Sequence, residues 1–122
     1  VMNWPLNAHI FSDSSSNSNF RGILRSTSEH TANIEILPDY EKQYHCWGIQ
    51  AKNKEQNFAL SVLTDPEIDF VTIAGDAGTG KTLLTLAAAL DLVYEDKLYD
   101  EVIVTRATVP LGEEIGFLPG EE

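Results

Sequence analysis

The chain has 122 residues, 43% hydrophobic and 22% charged, and its 8 Lys+Arg against 19 Asp+Glu leave a net charge of -11. Such proportions belong to a soluble globular domain, and the length admits one domain with a linker. A single cysteine, Cys46, excludes an internal disulfide framework and a paired-cysteine metal knuckle. No stretch approaches the ~20 apolar residues of a membrane helix.

The first ten residues carry no basic start, so no leader is expected and a cytoplasmic location follows. A start on Val and an end just after a turn suggest a piece of a longer protein. Charge is divided unevenly. Residues 1–66 hold five basic and seven acidic side chains, a balance of -2, whereas residues 67–122 hold three and twelve, a balance of -9. An acidic half repels phosphate backbones and keeps the protein in solution. Any nucleic-acid role then rests on specific residues or on parts of the protein beyond this sequence.

In chain order, Ser12 to Asn19 is almost wholly Ser, Asn and Asp and reads as a flexible linker, with too little apolar surface to offset ordering entropy. Phe20–Arg25 and Asn33–Leu37 are strand candidates, the second bounded by Pro38-Asp39; they admit a small hairpin or a weakly ordered linker, and the hairpin is slightly preferred. Residues 1–45 are thus read as a connector, and residues 46–122 as part of an α/β domain. At the boundary, His45-Cys46 has no second metal-capable pair and is expected to be partly buried beside Trp47. Trp47 itself is expected to anchor a helix in the core rather than to stack on a ligand.

From Asn53 onward the pattern sharpens. Asn53 is a helix cap, followed by Phe58, Ala59, Val62 and Leu63 at helical spacing and stopped before Asp65-Pro66. Glu67–Ala74 reads as a strand buried on both faces. Gly80–Tyr94 reads as a helix, apolar nearly all round and therefore central. Glu101–Thr105 reads as a second buried strand, which makes strand–helix–strand a right-handed crossover of a parallel sheet.

Between the first of these strands and the helix stands Gly75-Asp76-Ala77-Gly78-Thr79-Gly80-Lys81-Thr82, the phosphate-loop pattern G-x4-G-K-[ST]. Glycines reach positive φ, so that main-chain N–H groups converge on phosphate oxygens. The helix start adds its own free N–H groups and a positive dipole end. Lys81 supplies a point charge to the β- and γ-phosphates, and Thr82 is placed to ligate Mg²⁺. ATP and Mg²⁺ are the cofactors this predicts, with Lys81 and Thr82 as the catalytic pair. The glycines lack dinucleotide spacing. Asp76 puts a carboxylate into an anion-binding loop, and its side chain is expected to face solvent.

An ATPase also needs an acid after an apolar strand to hold Mg²⁺ and orient water. Asp100-Glu101 precedes its strand instead, and no later segment offers the pattern. The chain is expected to bind ATP·Mg²⁺ but not to hydrolyse it efficiently alone.

Four blocks between Trp47 and Gly120 resemble the PhoH-like ATPases, especially the form with an N-terminal PIN ribonuclease domain. They are Trp47-Gly48-Ile49 with Asn53-Lys54-Glu55-Gln56, the loop at 75–82, VIVTRATVP at 102–110 and GEEIGFLPG at 112–120. One departure is Ala107, where the family usually has Pro. The resemblance implies a P-loop NTPase fold like the core of superfamily-one helicases: a parallel sheet with flanking helices, here incomplete, preceded by a flexible or small β linker. It further implies ATP hydrolysis coupled to RNA, ring-shaped homo-oligomers of the complete protein, and an acidic Mg²⁺ motif beyond Glu122.

By the same resemblance Gln56 reads the adenine edge, although spacing alone equally admits an exposed helix glutamine. Arg106, at a strand's C-terminal end, is a candidate RNA or phosphate contact, or an ion-pair partner of Glu113 or Glu114. Two other classes stay open: a non-hydrolysing nucleotide sensor or assembly module, and a small-molecule P-loop kinase.

Overall fold

The computed structural model describes residues 4–12 and 20–107. Most of the Ser/Asn-rich stretch, the whole GEEIGFLPG block, and Glu113 and Glu114 lie outside the described residues. Strand β1 (His9–Phe11) pairs antiparallel with β2 (Arg21–Thr27), which pairs antiparallel with β3 (Ala32–Ile36), in the order β1-β2-β3. The hairpin expected from Phe20–Arg25 and Asn33–Leu37 is β2 and β3, with a bulge between Leu24 and Ser26. Its register needs glycine at position 22, where a Cβ would stand 2.6 Å from Ile34 Cγ2 and 3.0 Å from the Glu35 carbonyl oxygen. Ile23 and Leu24 point to opposite faces, and both are buried, so the sheet is covered on both sides at its centre.

Helix α1 (Lys54–Leu63) starts where expected: Asn53 is extended, and its side chain accepts the Gln56 N–H at 2.9 Å. Helix α2 (Lys81–Leu90) runs into a π-helical turn at Asp91–Glu95. The two helices pack around Cys46, Ala51, Leu60, Leu84, Ala87 and Ala88, with Tyr40, Ile49, Ala59 and Leu63 against them. Asn57, 1% exposed, clamps the incoming chain: its Oδ1 accepts the Tyr40 N–H at 2.6 Å, and its Nδ2 donates to the Pro38 carbonyl at 3.1 Å. Arg25 pairs with Asp65 and so ties β2 to the residues after α1.

Three expectations are corrected here. First, Glu67–Ala74 and Glu101–Thr105 are not strands among the described residues, and the parallel sheet does not form from them. A run apolar on both faces is ordered as a strand by ladder neighbours and covering layers. Phe70, Ile103 and Val104, each at least 70% exposed, have neither among the described residues.

Second, α2 is buried along one stripe, Leu84, Ala87 and Ala88 at i, i+3 and i+4, whereas Leu83 and Leu86 face outward. Third, Trp47 is not a core anchor. It is exposed, with its ring 5.5 Å from that of Tyr94, and Cys46 takes the buried place. The cause is a tight turn. Cys46 and Ile49 exchange both main-chain hydrogen bonds, at 2.9 and 2.8 Å, across Trp47 and Gly48. Both central residues have positive φ, 51° and 80°, as in a type I′ turn, which swings the indole out of the core.

Among the described residues no helix is long and apolar enough to cross a membrane.

Candidate phosphate-binding site

Gly75 to Thr82 form a loop that opens directly into α2. Gly78 and Gly80 hold φ of 83° and 86°, the left-handed region where a side chain is strained. Gly80 is also the N-cap of α2 and brings no side chain to bond the first-turn N–H groups. The main-chain N–H groups of Gly78, Gly80, Lys81 and Thr82 donate to no protein partner among the described residues. A cluster of free donors at a helix start is a ready anion cradle. The loop is tied internally by Thr79, whose hydroxyl donates to the Asp76 carbonyl at 2.9 Å.

The Lys81 ammonium reaches back across the loop and donates to the carbonyls of Gly75 and Asp76, the latter at 2.6 Å. The one positive charge of the loop is thus held against the carbonyls of its first two residues. Thr82 and Asp76 are both exposed, so the carboxylate is not turned into a buried phosphate pocket. These donors suit a phosphate chain. A hydroxyl one residue after the lysine suits a Mg²⁺ bound to the same phosphates.

Gln56 comes to this loop from α1. Its Nε2 donates to the Thr79 carbonyl at 3.2 Å, while its Oε1 accepts the Lys52 N–H at 2.8 Å. The sequence signal for the second bond is the Asn53-x-x-Gln56 spacing of a capping box, here closed on the residue before the cap. The bond to Thr79 had no signal in the sequence, since 23 residues separate the pair. Arg106 is not brought to the loop: it is exposed, with no hydrogen bond or ion pair among the described residues.

An open groove of about 1350 Å³ lies apart from this loop, against the far end of α2, lined by Tyr40, Tyr44, Trp47 and the acids Asp91, Glu95 and Asp96 among others. Its acids repel a triphosphate. Next to it, burial pushes the Cys46 thiol up to about 11, with Asp91 adding to the shift. The thiol is protonated at neutral pH and is a poor nucleophile or metal ligand. His45 is exposed and spends its Nδ1 on the Gly48 N–H at 3.2 Å.

A glycine loop with two left-handed residues, free amides and a lysine at the mouth of a helix is the local architecture of P-loop NTPase-like proteins. Comparison with known proteins takes the assignment further: residues 48–122 match the family described as PhoH-like protein, and the chain belongs to it. It is 49% identical over 78 residues to Protein PhoH2 of Bacillus subtilis, covering 64% of this chain and 18% of that protein. Protein PhoH2 of Mycolicibacterium smegmatis is 38% identical over 77 residues, 62% of this chain and 18% of its own. Protein PhoH of Escherichia coli is 38% identical over 74 residues, 60% and 20% respectively. The matched part thus spans about a fifth of the length of these curated relatives. No solved structure matches the chain.

Proposed function

We propose that Gly75 to Thr82 bind the triphosphate of ATP·Mg²⁺, and that the protein is an ATPase working on RNA. The observation that carries this is the set of free amides at the start of α2, with the Lys81 ammonium among them. In this reading the amides of Gly78, Gly80 and Lys81 take the β-phosphate oxygens, and Lys81 exchanges its carbonyl partners for the β- and γ-phosphates. A Mg²⁺ held at the Thr82 hydroxyl would neutralise phosphate charge.

Family membership supports the nucleotide and the completed parallel sheet, in which 67–74 and 101–105 gain their ladder neighbours. Coupling to RNA, ring assembly, a cytoplasmic location and an attached PIN ribonuclease domain extend the same reading to the whole protein. On this reading Arg106 contacts RNA or phosphate when the sheet is complete. Hydrolysis requires the acidic partner that this sequence does not contain.

The test is ATP binding and RNA-stimulated hydrolysis by the intact protein and by its Lys81→Ala variant. A charge-assisted hydrogen bond contributes about 1.5–3 kcal/mol, so ATP affinity should fall about ten- to a hundredfold. Equal affinity in the two proteins refutes the site, and hydrolysis indifferent to RNA refutes the proposed substrate.

A further inference from the structure

We infer that Gln56 is a positioning residue for the phosphate loop, acting on the triphosphate through the main chain rather than solely on the base. The inference rests on the assignment of Gly75 to Thr82 as the triphosphate site.

One peptide plane links Gln56 to the cradle. The carbonyl oxygen of Thr79 and the N–H of Gly80 belong to the same planar trans peptide, so they point in opposite directions. Gln56 Nε2 holds that oxygen at 3.2 Å. Whatever fixes the oxygen on the α1 side aims the Gly80 N–H to the other side. That N–H is one of the free donors of the cradle.

The plane has reason to turn otherwise. A flip of the 79–80 plane turns ψ of Thr79 against φ of Gly80, and Gly80, with no Cβ and a φ of 86°, offers little resistance to it. A flipped 79–80 peptide would present a carbonyl where the phosphate needs a donor. A Cβ on Gly80 would lie 3.6 Å from Gln56 Nε2, so the side-chain amide rests directly against this residue.

The latch is itself anchored. Asn53 Oδ1 accepts the Gln56 main-chain N–H at 2.9 Å, and the Lys52 N–H holds Gln56 Oε1 at 2.8 Å. The amide's orientation is therefore set by the first turn of α1, with nitrogen towards the loop. The second N–H of Nε2 and the second lone pair of Oε1 stay available, so a contact with the base is compatible with the latch.

The decisive ligand is one without a base. Binding of Mg²⁺·ATP, Mg²⁺·GTP and Mg²⁺·tripolyphosphate is measured by calorimetry on the intact protein and on Gln56→Glu, Gln56→Met and Lys81→Ala. Gln56→Met removes the donor to Thr79 without adding charge, and its tripolyphosphate affinity should fall about three- to tenfold, the range of one hydrogen bond. Gln56→Glu keeps an acceptor for the Lys52 N–H but also sets a negative charge beside the loop, so its affinity should fall further. Thermal melting of each variant accompanies the titrations; where Gln56→Met melts below the parent, a Gln56→Glu affinity equal to the parent's overturns the inference on its own.

Unchanged tripolyphosphate affinity together with weakened ATP binding overturns the inference and leaves Gln56 as a base reader alone. Tripolyphosphate binding that survives Lys81→Ala undiminished instead overturns the site assignment itself.

Discussion

His9 lies stacked on Phe58, their ring centroids 4.4 Å apart and their planes 11° from parallel. This contact seats the small sheet on α1, with the Lys54 ammonium 3.7 Å from the centroid of the neighbouring Phe11 ring. The connector and the helix that carries Gln56 are thereby one packed unit.

Burial pushes the His9 imidazole below its usual 6.5, Glu55 opposes the shift, and Lys54 and Arg21 add to it. A histidine whose folded pKa is depressed is neutral in the native state and takes up its proton more readily when unfolded. Its contribution to stability is full above about pH 6.5 and is lost as pH falls through the folded value. Urea unfolding of the intact protein should therefore show a midpoint that drops between pH 7 and 5. His9→Phe should flatten that part of the profile.

Asn57→Leu should detach the chain that enters α1. The change strands the Tyr40 N–H and the Pro38 carbonyl in a largely buried position, which costs about 2–4 kcal/mol. Hydrogen exchange at Tyr40 is the direct measurement, with faster exchange expected there before the core of α1 opens. Protection equal to that of the parent would show that the clamp contributes little.

Cys46 should be nearly inert towards thiol reagents in the folded protein. With its pKa raised from 9.0 to about 11, its thiolate fraction at pH 8 is about a hundredfold below that of a free thiol. Labelling with iodoacetamide should follow unfolding, not reagent concentration. The sign for stability is the reverse of that for His9. The raised acid pKa leaves stability full below about pH 9 and removes it as pH rises towards about 11.

Much of this architecture was legible in the residues because its signals are local. The Asn53 cap, the apolar spacing of α1 and the glycine loop each lie within one short window. The hairpin of β2 and β3 was legible for the same reason, from two runs closed by Pro38-Asp39. Strand β1 was not, because His9–Phe11 is too short to show a period and exists only through pairing with Ile23, Gly22 and Arg21.

The runs at 67–74 and 101–105 show the opposite failure. Their composition states the preference for strand correctly, yet a ladder is a property of neighbours and not of the run. Trp47 misled for a third reason: a large aromatic residue suggests burial, but two positive φ angles in succession decided where it points. At the site, the loop was legible, and its tie to Gln56 was a tertiary fact.

One helix separates two ends of opposite electrical character. At its start stand free amides and the Lys81 ammonium, whereas Asp91, Glu95 and Asp96 crowd its far end with no basic residue in the last turn. The helix dipole runs in the same sense and reinforces the asymmetry. On the proposed assignment, a polyanion drifting towards this surface would be turned away at one pole and drawn in at the other, so capture would be oriented before contact. Added salt should slow that approach more than it hastens escape.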